Sequence, residues 1–197
     1  FDGMLNLLTY LGTVWLTKGE LPVPPGSSHM YSVPWQAFKV SDGYVVIATR
    51  QEVFWERMCD AMDIENVKID QRFATNPKRV ENRDILIPIL EKIFINKSVK
   101  EWIDLFREYE VPCAPVNNLD GAFAEPPVAE RDMIVKYDHP TAGEIILPGN
   151  PMKFSDVNET ISTPAPTLGQ HTKEILISML GMDAGQIDKL IKSEIIK

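Results

Sequence analysis

The stretch WQAFKVSDGYVVIATR, residues 35–50, has the composition of a β-hairpin. Aromatic and β-branched residues are frequent in two runs, Trp35–Val40 and Tyr44–Ala48. The residues between them, Ser41–Gly43, are of the types that favour a tight turn. We therefore predict two paired strands, of which the second is buried.

Three stretches after this hairpin have apolar residues at helical spacing. They are Val53–Met62, Asp84–Phe94 and SVKEWIDLFREYEVP at 98–112. Pro88 must bend the second helix or lie near its first turn. We expect an ordered loop between Ile69 and Asn82.

The third of these helices has the clearest signals. Ser98 and Glu101 have the spacing of a capping box, and Trp102, Leu105 and Phe106 form an apolar stripe. A short strand at Ala114–Asn117 is expected to follow.

The N-terminal residues also have an amphipathic pattern, which predicts one helix over residues 1–20. The chain begins with Phe1 and lacks the basic and small-residue regions of a signal peptide, so we expect this helix to continue a longer chain. Pro22, Pro24 and Pro25 then exclude helix, and a turn at 26–28 follows. This segment is predicted to be a linker or an active-site loop.

The C-terminal part predicts a second hairpin and two helices. The strands are expected near Ile134–Tyr137 and Glu144–Leu147. The first helix should begin near Thr172 and stop at Gly181, and Asp183 should cap the second.

Composition and charge exclude several functions. The net charge is −8 and the basic residues are dispersed, which disfavours nucleic acid as a partner. No apolar run is long enough to span a membrane. The two cysteines, Cys59 and Cys113, are far apart, so we expect neither a disulfide framework nor a zinc site, and a reducing cytoplasm is the default location.

No common catalytic motif is present in the sequence. The histidines His29, His139 and His171 lack metal-ligand spacing, and we expect no metal. We expect His171 to lie at the start of a helix and His139 to lie in a hairpin turn. His29 is of greater interest because it follows Gly-Ser-Ser in a loop, although loop histidines are more often structural or exposed. Both cysteines are expected to be packing residues.

A series of short motifs resembles the class III CoA-transferase family, the group of formyl-CoA, carnitine and bile-acid CoA-transferases. Each motif is weak by itself, but their order and separations are specific. They are FKVSDGYVVIA, the Trp and Met of FWERM, DQRFATNPKRVENRDIL, EWIDLFREYEVPCAPVNNL, PPVAERDMI, GNPMKFS and PAPTLGQHTKEIL.

The resemblance implies transfer of coenzyme A between an acyl-CoA thioester and a free carboxylic acid. Members of the family have about twice this length, and an aspartate in their N-terminal half forms the mixed-anhydride and CoA-thioester intermediates. The chain resembles the C-terminal half. The nucleophile is then expected upstream, no catalytic residue is assigned here, and the isolated chain is expected to be inactive. CoA is a substrate, and no permanently bound cofactor is expected.

One active-site element of the family has a counterpart in this chain. In well-studied members a glycine-rich loop from the smaller domain covers the thioester. The matching stretch PGSSHMYSVP retains Gly26, with Ser27, Ser28 and His29 in place of further glycines. Residues with a Cβ stiffen the loop. The difference is consistent with another acyl acceptor or another reaction.

The resemblance also implies the domain organisation. We expect an α/β fold, with a small α/β domain at 28–128 and with 1–27 and 129–197 belonging to a larger domain. A nucleotide-binding-like parallel sheet in the N-terminal half and an intertwined homodimer are implied. The proline-rich segments 21–34 and 156–167 would be chain crossings or ordinary surface linkers.

Two other kinds of function are considered. An α-methylacyl-CoA racemase of the same superfamily would have a glutamate after the second strand, where this chain has Gln51. A CoA-ester lyase or dehydratase is a related alternative. A non-catalytic half that binds and caps a partner subunit is the alternative from a different class.

Overall fold

The N-terminal segment forms two helices in the computed structural model, which describes residues 1–156 and 163–196. They are α1 (Asp2–Asn6) and α2 (Thr9–Lys18), so the single helix predicted over residues 1–20 was wrong. The break coincides with Thr9, whose φ of +47° lies in the left-handed region and interrupts the right-handed helix. Residues 20–34, which contain the prolines, form neither helix nor strand, as predicted.

The predicted first hairpin is confirmed. β1 (Trp35–Lys39) and β2 (Tyr44–Ala48) pair antiparallel with Phe38 opposite Val45. β3 (Cys113–Pro115) pairs antiparallel with the other edge of β2, which gives the strand order β1-β2-β3. β3 begins one residue before the predicted strand.

Five helices lie between β2 and β3. They are α3 (Glu52–Ala61), α4 (Glu65–Lys68), α5 (Asn76–Glu81), α6 (Arg83–Phe94) and α7 (Val99–Glu108).

The presence of α5 corrects the loop predicted between Ile69 and Asn82. Thr75 caps this helix by accepting from the Lys78 N–H, and a proline lies in its first turn. Pro88 lies in the second turn of α6, past the first turn, where it removes one helical hydrogen bond.

The core of this region lies between the sheet and α3, α6 and α7. Phe38 stacks on Phe94 at 4.4 Å between ring centroids, and Trp102 stacks on Phe106 at 5.2 Å. The buried indole of Trp102 donates to the Phe94 carbonyl at 2.7 Å. Leu105, which was predicted in the apolar stripe, is only partly buried at the edge of the core.

The predicted capping box of α7 is confirmed. The Ser98 side chain accepts from the Glu101 N–H, and the Glu101 carboxylate accepts from the Ser98 N–H at 2.8 Å. We expect Ser98→Ala to lower the free energy of unfolding by about 1 kcal/mol, and Ser98→Gly by only a few tenths. Chemical denaturation of both variants measures this difference. Equal midpoints for wild type and Ser98→Ala would show that the cap contributes nothing.

The described residues from 118 onward form two short helices, a hairpin and two further helices. This confirms the predicted hairpin and terminal helices, although the first terminal helix ends at Ser178 and not at Gly181. Their bounds are α8 (Leu119–Ala124), α9 (Pro126–Glu130), β4 (Ile134–His139), β5 (Gly143–Pro148), α10 (Thr172–Ser178) and α11 (Ala184–Lys192). Asp183 and Gln186 form the predicted capping box of α11.

The backbone at Gly149, the first residue of the GNPMKFS motif, requires a glycine. Its N–H donates to the Met133 carbonyl at 3.0 Å, which brings the chain after β5 against the chain before β4. A Cβ at Gly149 would lie 2.2 Å from the Asp132 carbonyl oxygen, so only glycine fits here.

The chain divides into two compact units, Phe1–Asn117 and Asn118–Lys197. The assignment of 28–128 to a small domain and of 1–27 and 129–197 to a larger one stays a prediction. Residues 157–162 of the predicted linker at 156–167 lie outside the described residues, whereas 21–34 is described. No helix in the described part of the chain has the length and apolar character that crossing a membrane requires.

Candidate active-site loop

Residues 26–33 form one loop that includes the predicted Gly26–His29. This loop runs beside β1, and hydrogen bonds hold it to the strand. Gly26 has φ +64° and lies in a turn in which the Ser28 N–H donates to the Pro25 carbonyl at 3.1 Å. The Ser27 hydroxyl accepts from the Ala37 N–H at 3.2 Å, and the Ser28 hydroxyl donates to Gln36 Oε1 at 2.9 Å. Both serine side chains therefore fix the loop to the strand.

The His29 ring is held on several sides. The ring stacks on Trp35 with the ring centroids 4.6 Å apart, and the backbone N–H of His29 donates to the Trp35 carbonyl at 2.8 Å. Nδ1 accepts from the Tyr31 N–H at 3.1 Å, so the proton of the neutral ring lies on Nε2, 3.4 Å from the Tyr10 hydroxyl.

The surroundings of His29 favour the neutral imidazole. Partial burial is the largest cause of its lowered pKa, and the positive charges of Arg50 and Arg83 lower the pKa further. The imidazole is therefore neutral at pH 7, with Nε2–H as a hydrogen-bond donor.

Two residues on α5 and α6 anchor the loop through its backbone. Asn76 Oδ1 accepts from the Val33 N–H at 3.1 Å, and its amide donates to the Tyr31 carbonyl at 2.9 Å. Arg83 Nη2 donates to the carbonyls of His29 at 2.6 Å and Met30 at 3.1 Å.

Arg79 is a third anchor, and its side chain is 0% exposed. Nε donates to the Val33 carbonyl at 2.7 Å, and Nη1 donates to the Phe73 carbonyl at 3.0 Å and to Glu52 Oε2 at 2.7 Å. The guanidinium lies over the Trp55 ring at 4.7 Å. Among the atoms described, Arg79 Nη2 and the Ser32 hydroxyl are buried without a hydrogen-bond partner.

The sequence did not reveal these anchors. Asn76 and Arg79 fall in the segment predicted to be a loop between Ile69 and Asn82, and Arg83 lies just before the helix predicted from Asp84. Apolar periodicity gives no signal for polar residues on a short helix that contains proline.

The surroundings of the remaining candidate residues indicate structural roles. Burial raises the pKa of the Cys59 thiol to about 12 and also raises the pKa of Cys113, so neither is activated as a nucleophile. His139 Nδ1 accepts from the Thr141 N–H in the turn between β4 and β5. His171 lies at the N-cap of α10 beside Glu174.

The arrangement suits contact with an anion better than nucleophilic attack. The positive charges of Arg50 and Arg83 act on the imidazole and lower its pKa, and Arg83 Nη2 donates to the His29 carbonyl. The nearby carboxylate of Glu52 accepts from Arg79 Nη1 and from the Asn76 N–H, which occupy both of its oxygens. Within residues 1–156 and 163–196, no three His, Cys, Asp or Glu side chains are grouped as a metal site requires.

Solved structures define the class of protein. A CAIB/BAIF family protein from Brucella suis superposes with a TM-score of 0.73 at 30% identity, covering 89% of this chain and 45% of that chain. The model of CoA-transferase family III matches residues 1–172. The chain therefore belongs to CoA-transferase family III, which confirms the resemblance.

Two curated relatives are similar over most of the chain. An acyl-CoA transferase from Fusarium pseudograminearum is 39% identical over 198 residues, covering 100% of this chain and 43% of that protein. The human succinyl-CoA:glutarate CoA-transferase is 34% identical, covering 87% of this chain and 39% of that protein. The chain thus spans about two fifths of the length of these relatives.

Proposed function

We propose that this chain is the C-terminal part of an enzyme that transfers coenzyme A between an acyl-CoA thioester and a free carboxylic acid. The nucleophile is an aspartate upstream of residue 1, in the longer protein that contains this chain. The observation that carries the proposal is the family match, together with a loop that places neutral His29 near two guanidinium groups. CoA enters as part of the substrate, and no resident cofactor is needed.

The reaction proceeds in balanced acyl-transfer steps. The aspartate attacks the acyl thioester carbon and expels CoA thiolate, which leaves a mixed anhydride. The thiolate then attacks the aspartyl carbonyl and releases the donor acid, which leaves an aspartyl-CoA thioester. The acceptor carboxylate repeats these steps in reverse and leaves as the new acyl-CoA.

The loop at 26–33 covers the reacting groups and donates one hydrogen bond to them. It excludes water from an anhydride and a thioester that water would hydrolyse. His29 Nε2–H donates to the oxygen that gains negative charge when a carbonyl is attacked. A neutral donor suits this role because a charged imidazolium would hold the aspartate carboxylate in an ion pair.

Exposed apolar side chains support a larger assembly. In α1, in α2 and at the N-cap of α2, Leu5, Trp15 and Leu8 are about half exposed, and Leu16 is 76% exposed. Apolar surface of this extent is typical of an interface. We propose that it is covered by the N-terminal part of the enzyme and by a second copy in a homodimer.

The acceptor that we propose is a dicarboxylic acid. The human relative is named for succinyl-CoA and glutarate. Arg50 is exposed and follows Thr49, whose N–H and hydroxyl both bond to the Pro34 carbonyl at 3.0 Å. Arg50 is therefore held beside the loop, where its guanidinium can pair with the second carboxylate of the substrate.

Arg50→Gln in the longer protein tests the function and the acceptor together. We expect KM for a dicarboxylate acceptor to rise by about 10-fold or more, because a charged hydrogen bond contributes about 1.5–3 kcal/mol. A monocarboxylate of equal length should show an unchanged KM.

The assay measures acyl-CoA formed from succinyl-CoA and each free acid. Arg57→Gln is the matched control. Arg57 lies on α3, and its guanidinium pairs with the Glu110 carboxylate at 2.9 Å. Equal effects on both acids would contradict the second-carboxylate contact. A wild-type protein that exchanges no CoA would contradict the proposed function itself.

A transferase is better supported than a racemase of the same superfamily. Gln51 occupies the position where we expected a racemase to have glutamate, and it lies at the N-cap of α3. An amide cannot ionise to support a histidine base.

A further inference from the structure

We propose that Asn76, Arg79 and Arg83 form a clamp that positions the loop and fixes the orientation of His29 in the active site. They act through the loop and are therefore positioning residues. The geometry of the clamp is independent of the proposed function, whereas its effect on catalysis rests on that function.

The clamp acts on the backbone of the loop. Its side chains bond to the carbonyls of His29, Met30, Tyr31 and Val33 and to the Val33 N–H. This part of the loop has neither helix nor strand, so these side chains supply the hydrogen bonds that secondary structure supplies elsewhere.

The clamp is joined to the His29 ring by short contacts. Arg83 holds the His29 carbonyl, while Nδ1 accepts from the N–H of Tyr31, whose own carbonyl accepts from Asn76. The ring face is fixed by Trp35. A shift of the backbone at residues 29–31 therefore tilts the imidazole.

The chemistry of Arg79 also favours a positioning role. Burial of a guanidinium is costly: replacing a whole buried ion pair by well-packed apolar residues is often neutral or stabilising, whereas removing only one partner is destabilising. Arg79 instead bonds to the loop through Nε, and to α3 and the chain before α5 through Nη1. Such a buried centre fixes the relative placement of these three segments.

A looser loop would lower the fraction of molecules that are ready to react. Turnover falls with that fraction, whereas binding of the CoA moiety, for which we propose no contact with the loop, does not depend on it. The clamp should therefore affect kcat more than KM for acyl-CoA.

Arg83→Met is the first test because Arg83 is only partly buried. In the longer protein we expect amide exchange at residues 29–33 to accelerate about 10-fold or more. An NMR titration should show the pKa of His29 moving up towards its ordinary value, since the ring loses a nearby positive charge and part of its burial. Arg50, Tyr10 and Tyr31 remain beside the ring.

Two further variants separate charge from geometry. Arg83→Lys keeps the charge but not the planar donor pair, so exchange should accelerate with a smaller change in the pKa of His29. Asn76→Asp keeps the acceptor for the Val33 N–H and loses the donor to Tyr31, and it should reproduce the faster exchange if Arg83→Met fails to fold. Arg72→Met is the control, since Arg72 is an exposed partner of Asp70.

In the longer protein, Arg83→Met should lower kcat about 10-fold or more and leave KM for acyl-CoA within about twofold. Unchanged exchange and His29 titration in Arg83→Met and Asn76→Asp would overturn the clamp. Faster exchange with unchanged kcat would overturn its role in positioning. Absence of CoA exchange in the wild-type protein would instead reject the proposed function and leave the loop measurements valid.

Discussion

Arg79→Met should lower the free energy of unfolding by about 3 kcal/mol or more. The substitution leaves the carbonyls of Val33 and Phe73 without their donors, and an unmet buried polar group costs about 1–3 kcal/mol. It also removes the cation over the Trp55 ring. Chemical denaturation followed by tryptophan fluorescence measures the loss.

Glu52→Gln is the matched control for the ion pair. The Glu52 side chain is 46% exposed, so the pair is screened by water and should contribute less than about 1 kcal/mol. Glutamine keeps one oxygen as an acceptor. If Arg79→Met were no more destabilising than Glu52→Gln, the backbone contacts of Arg79 would not contribute to stability.

Local sequence signals were sufficient for most of the fold. The first hairpin and the capping boxes at Ser98 and Asp183 depend on residues that are near each other in the sequence, so spacing reveals them. The break at Thr9 and the helix α5 were missed. A backbone break and a short helix that contains proline are not determined by apolar periodicity.

The candidate site was predictable only in part. The residues Gly26–His29 came from the resemblance, whereas their contacts did not. Asn76 is 43 positions from Val33, and Arg83 is 54 positions from His29. Contacts at such separations arise from tertiary packing, and one sequence carries no local pattern for them.

The chain by itself should catalyse no exchange of CoA between an acyl-CoA and a free acid. Transfer through an anhydride requires a positioned carboxylate nucleophile. The Glu52 carboxylate is already held by Arg79 and the Asn76 N–H, and both thiols have raised pKa values. The lysines and arginines are dispersed in an acidic chain, which does not favour binding of the CoA phosphates.

The control is the longer protein at the same concentration of sites. The isolated chain should also self-associate through the exposed apolar side chains of α1 and α2, so its mass in solution is measured beside its activity. Turnover by the isolated chain equal to that of the longer protein would place the nucleophile within residues 1–197.

The most direct measurement locates the carboxylate that carries CoA. The longer protein is incubated with acyl-CoA, the enzyme thioester is trapped with hydroxylamine, and peptide mass spectrometry identifies the hydroxamate. We expect the hydroxamate on an aspartate upstream of residue 1, with less of it formed in Arg83→Met. A hydroxamate on a carboxylate within residues 1–197, such as Glu52, would contradict the assignment of this chain to the half that positions and covers the thioester.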